Sequence, residues 1–148
     1  MGEAFYGASN CAVDDIVSIR PPGETRIFTL SSARTLFPLV RRITIQSAAE
    51  LNPISLRLRE AFTLKNDVTA LEHAYELVVR SWVAKMERLG LVVKGLWLVD
   101  FDTGDGYLCW RYPEEELAHY HPYHKGFTGR RPIAEVIALK RPEWARGA

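Results

Sequence analysis

At 148 residues, with 47% hydrophobic and 25% charged side chains, the chain has the size and composition of one soluble globular domain with enough apolar residues for a real core. Its 19 Lys and Arg nearly cancel its 18 Asp and Glu, leaving a formal charge of +1. There is no global field to gather nucleic acid or anionic membrane, so any anion site has to be local.

Residues 1–26 carry three glycines, the last of them in Pro21-Pro22-Gly23, and show no helical or strand period, which predicts an irregular extension. They lack the basic-then-apolar order of an export signal, and Tyr6 stands where a myristoylation signal needs Ser or Thr. No window anywhere approaches the ~20 apolar residues of a membrane span. Cys11 and Cys109 are too few and too far apart for a disulfide scaffold or a paired-cysteine zinc motif, and they fit a reducing cytoplasm.

After a short strand near Ile27, the residues Leu36, Val40, Ile43, Ser47, Leu51, Ile54, Leu58 and Phe62 recur at three- and four-residue steps. This is one buried stripe of a helix capped by Thr29 or Ser31. Pro38 predicts a kink in it, and Pro53 a bend or break. A second helix is opened by Asn66 or Asp67, keeps its stripe through Val68, Leu71, Tyr75, Val78, Trp82, Met86 and Leu89, and ends on Gly90, where a left-handed cap belongs. The short link around Lys65 folds the two into an antiparallel hairpin. Two helices cannot cover their own apolar seam, so the hairpin predicts either a sheet opposite it or a homodimer completing four helices.

From Leu91 to Phe101 the period becomes two and predicts one strand buried on both sides in its middle. The turn residues from Asp102 to Gly106 return the chain as Tyr107–Tyr112, and a third short strand falls between Leu117 and His121. After Pro132 the run from Ile133 to Leu139 favours a short helix. The fold class expected is α+β, a long antiparallel helical hairpin packed on a small antiparallel meander. The single domain spans residues 27–133, with the hairpin in 27–90 and the meander and its Gly-Arg loop in 91–133. Residues 134–148 form a carboxyl-terminal extension.

The unusual chemistry lies in the last third. His119 and His121 share a strand face and His124 follows in a turn, so the three could ligate a divalent transition metal such as zinc. Asp100 or Cys109 from a neighbouring strand could complete the set. The plainer alternative is that His121 is a hydrogen-bonded core residue and the other two are exposed. Gly126-Phe127-Thr128-Gly129-Arg130-Arg131 has the ingredients of an anion cradle that Arg111 could join. Set against this, its arginines could pair with Asp100, Asp102 or Glu114-Glu115-Glu116. Asp100 to Gly106 is not a calcium loop, because glycine stands at a ligand position and Arg111 occupies the twelfth. Cys109 reads as a small apolar filler. No nucleotide-binding glycine loop or serine-hydrolase elbow is present.

Phe28-Thr29-Leu30, Phe37-Pro38-Leu39, Leu89 to Lys94, Leu98-Val99-Asp100-Phe101, Tyr107-Leu108-Cys109-Trp110-Arg111, His121 and Gly126 to Pro132 follow in an order that resembles a bacterial family known only as a domain of unknown function. The resemblance runs from about Phe28 to Ile133. It implies a prokaryotic cytosolic protein and supplies no catalytic residues. Pro122 stands where such sequences often place an acid after the histidine, so an acid-paired His121 would have to use Asp100 or Glu116.

The function expected from the sequence is a non-enzymatic cytosolic binding or regulatory module, with a small-anion or protein-partner site at Trp110, Arg111, His121, Arg130 and Arg131 and no cofactor. The alternative is a metal-dependent enzyme or metal-binding protein using His119, His121, His124 and Asp100. Membrane association is not expected, and nucleic acid is disfavoured by the charge balance.

Overall fold

The computed structural model describes residues 24–147. The irregular segment expected over 1–26 therefore lies almost wholly outside the described residues, and so does Cys11. Helix α1 (Leu30–Thr63) is opened by a capping box in which the Thr29 N–H donates to Ser32 Oγ and the Ser32 N–H to Thr29 Oγ1, each at 3.0 Å. It runs through Pro38 and Pro53 as one helix. Of the bend or break expected at Pro53, the break does not occur. Both prolines and the residues four positions earlier, Arg34 and Ala49, are exposed, so solvent can serve each carbonyl that loses its partner.

Helix α2 (Thr69–Arg88) begins after Asp67, whose carboxylate accepts from the Thr69 N–H at 3.0 Å and hydroxyl at 2.7 Å. It stops at Gly90, which takes the left-handed φ of 87° that residues with a Cβ resist. The stripe on α1 is buried at Leu36, Val40, Thr44, Ser47 and Leu51, yet its last expected member, Phe62, is 60% exposed. Thr44 is tolerated in the core because both capacities of its hydroxyl are used. It donates to the Val40 carbonyl at 2.8 Å and accepts from the buried Trp82 indole at 2.9 Å.

The single strand expected over 91–101 is instead a hairpin of β1 (Val92–Gly95) and β2 (Leu98–Asp102). Trp97 makes the turn at φ 60° and packs edge-to-face on Trp82, with ring centroids 5.0 Å apart. Strands β3 (Tyr107–Arg111), β4 (His119–His121) and β5 (Arg131–Pro132) complete an antiparallel meander in the order β1-β2-β3-β4-β5. The strand looked for near Ile27 is one parallel bridge to Asp102. Val99, Phe101, Leu108, Trp110 and Tyr120 alternate onto the helix side and form the core with Leu36, Val40, Trp82 and Met86. Burying each such large side chain contributes roughly 1.5–3 kcal/mol.

Helix α3 (Ile133–Lys140) and a 3-10 turn at Glu143–Ala145 belong to this core and are not an appendage. Ile133, Val136 and Trp144 are buried, and the Trp144 ring stacks on Tyr120 at 5.3 Å. The described residues thus form an α+β fold with its helices on one face of the sheet. No helix among them is long and apolar enough to cross a membrane.

Candidate functional site

The pleat that sends Val99 and Trp110 into the core sends Asp100, Cys109, His119 and His121 to the opposite face of the sheet. Register does the rest. Asp100 pairs directly with Cys109, Cys109 with His119, and Tyr107 with His121. The loop from Pro122 to Arg130 lies over this face, so Asp100, Cys109 and His121 are buried although they sit on the side away from the helices.

These three side chains converge. One donor atom from each lies within 4.8 Å of the other two, and among the described residues they are the group of His, Cys and acidic side chains that could surround a metal ion. His121 Nδ1 is 2.9 Å from the Pro122 carbonyl and Nε2 is 3.1 Å from Asp100 Oδ2. A carbonyl can only accept, so Nδ1 carries a proton and Nε2 is directed at the carboxylate. The other carboxylate oxygen, Oδ1, is buried and makes no hydrogen bond.

Burial pushes the Asp100 carboxyl above its ordinary range, against the opposing pull of Cys109, His121 and Lys94. Burial, and then the neighbouring Asp100 charge, likewise push the Cys109 thiol well up, while Arg130 pulls it the other way. Lys94 is a further cation close to Asp100, with Nζ 3.9 Å from Oδ2 and 4.6 Å from the centre of the Tyr107 ring. A cavity of about 220 Å³ opens onto all three donors and is closed by Lys94, Leu98 and Phe127.

The residues expected to hold an anion are dispersed. Trp110 is on the core side, packed on Phe37 and donating to the Glu114 carbonyl at 2.8 Å. Arg130 grips both oxygens of Glu114 at 3.0 and 2.7 Å, and Arg131 pairs with Glu135 at 2.7 Å. Arg111 is exposed and lies over the Phe127 ring at 5.2 Å. Although burial works against it, Arg130 together with the Arg111 N–H holds the Glu114 carboxyl below its usual range, which ties the loop to β3. The arginines therefore fasten the glycine loop down and do not form a cradle.

Of the three histidines, His121 enters the cluster. His119 shares its face, with a buried Nδ1 that has no partner, but does not join the donor group, and His124 is exposed. Cys109, which the sequence offered both as a small apolar filler and as a residue that could complete a histidine set, stands in the cluster where His119 and His124 were expected. The signal that could have found it is the tight Asp102–Gly106 turn, which sets Cys109 opposite Asp100 once the hairpin register is drawn.

A conserved but uncharacterised protein family, DUF2203, matches residues 26–133, a span that contains the whole cluster and the loop over it. The chain belongs to the DUF2203 family. No curated protein matches it and no solved structure does, so the function of this DUF2203 domain has to be argued from its own geometry.

Proposed function

We propose that this protein is a metal-binding domain that holds a borderline transition metal, zinc being the best fit, through Asp100, Cys109 and His121. The observation that carries the reading is the convergence of three chemically different donors within 4.8 Å at the floor of one cavity. Thiolate, imidazole and carboxylate are the donors zinc uses, and around a tetrahedral ion they stand about 3.3–3.6 Å apart; His121 Nε2 and Asp100 Oδ2, 3.1 Å apart, are already near that spacing, and no pair is more than 4.8 Å apart. The His121 Nδ1 proton on the Pro122 carbonyl is the second interaction that orients a ligating imidazole and leaves Nε2 for the ion.

Charge supports the same reading. Burial and the adjacent Asp100 carboxylate both oppose ionisation of the Cys109 thiol, which is unfavourable for a cysteine nucleophile, whose thiolate has to form at working pH. A dication neutralises both at once. Three protein donors would leave one coordination position for a ligand from the cavity that they line. That is the arrangement of sites that admit an outside ligand, whereas purely structural zinc sites are closed by four protein donors.

The test is elemental analysis of untagged protein together with the absorption spectrum of its cobalt(II) form. One metal per chain and a sulfur-to-cobalt charge-transfer band are expected in the parent protein. Cys109→Ser should lose the band, and His121→Ala should lose affinity by more than the ~10–100-fold typical of removing a residue that only orients a ligand. His124→Ala should bind as the parent does. A parent protein with neither stoichiometric metal nor the band would end the proposal.

A further inference from the structure

We infer that the open position of this centre takes a short-chain carboxylate, with Lys94 as the residue that selects its charge; the inference rests on the metal reading above. Size is the first argument. A cavity of about 220 Å³ lies below the ~300–1,000 Å³ usual for pockets that enclose a drug-sized ligand, so it suits a ligand of a few non-hydrogen atoms.

Charge is the second. A dication with ionised Asp100 and Cys109 sums to zero, and Arg130 is neutralised by its two-point bond to Glu114. Lys94 then remains as the positive charge on the cavity wall, and one negative charge balances it. A phosphate dianion would overshoot that balance, and it would need donors that the arginines, held elsewhere, do not supply.

Shape is the third. Leu98 and Phe127 give the cavity apolar sides suited to a short alkyl chain, while the metal position and Lys94 offer separate partners for the two carboxylate oxygens. Lys94 is placed for this by a bulge. The β1–β2 register shifts between Val93 and Gly95, leaving Lys94 as the unpaired residue, and its side chain reaches over Tyr107 to the cavity mouth while staying 40% exposed.

The experiment is a titration of the cobalt(II)-loaded full-length protein with sodium acetate, followed in the visible ligand-field bands. Acetamide is the uncharged control of similar shape, and inorganic phosphate is the competing anion. Acetate should shift the bands saturably, acetamide should not, and metal-loaded Lys94→Met should bind acetate about tenfold more weakly. A charge-transfer band that is present but bands that ignore acetate, equal acetate affinity in Lys94→Met, or phosphate binding tighter than acetate would each overturn this inference and leave the metal centre standing. Absence of the charge-transfer band from the parent protein overturns both.

Discussion

Asp100 is an expensive residue to bury. Its side chain is 1% exposed, one oxygen has no hydrogen bond, and its charge opposes ionisation of the thiol beside it. In the metal-free protein that carboxylate destabilises the fold, since burial raises its folded pKa and ionisation at neutral pH works against folding. Asp100→Asn keeps the shape and removes the charge. In excess chelator at neutral pH, thermal unfolding should show the variant more stable than the parent by on the order of 1 kcal/mol, while it fails to retain metal. A variant less stable than the parent under those conditions would mark Asp100 as a structural partner of His121. The sequence already placed Asp100 and His121 among candidate ligands, because turn chemistry and period two bring their strands together. It could not choose between His121 and its neighbours, since ring direction in a three-residue strand is set by the Pro122 carbonyl, a contact of the following loop.

Among the elements, hairpin β2–β3 is the one that assembles the site, because its register puts Asp100 opposite Cys109. Its turn is held by Thr103, which donates to the Gly106 carbonyl at 2.8 Å and accepts from the Gly106 N–H at 3.1 Å. Gly106 is required by space, not by backbone angle. A Cβ there would lie 2.6 Å from Tyr120 Cζ, and that ring is fixed against Trp144. Gly106→Ala should therefore destabilise by about 1–3 kcal/mol and lower metal occupancy with it, measured by denaturant unfolding and elemental analysis on the same preparation. An unchanged unfolding midpoint would show that Tyr120 can yield. This turn was legible, since Asp102-Thr103-Gly104-Asp105-Gly106 announces itself in composition. The β1–β2 turn was not, because Leu96 and Trp97 continue an apolar alternation and only Gly95 hints at a reversal. Propensity also misjudged Pro53, whose lost bond is on an exposed face and costs the helix little continuity.

At the scale of the whole molecule, stability is unevenly distributed along the hairpin. Helix α1 is 34 residues long, about 50 Å at 1.5 Å per residue, whereas the strands facing it have at most five residues. From residue 52 to residue 81, Ala61 alone is buried, and Leu56, Phe62, Leu64 and Leu77 are all more than half exposed. The periodicity predicts a buried stripe through Phe62, but it does not say where the sheet beneath the helix ends, and burial stops at Leu51 but for Ala61. Two helices with no third layer among the described residues hold their amides mainly by local hydrogen bonds, so this half of the hairpin should open far more readily than the half over the sheet. Hydrogen exchange on a dilute sample should find amides of residues 52–81 exchanging orders of magnitude faster than those of residues 36–48 in the same α1 helix. The homodimer expected from the sequence makes a separate claim on the same measurement. If a second copy packs on the exposed leucines and Phe62, protection within residues 52–81 rises with protein concentration while the sheet and residues 36–48 stay unchanged. Equal protection along the whole of α1 at every concentration would mean that the distal turns are stable without a third layer, and the uneven distribution argued from burial would be wrong.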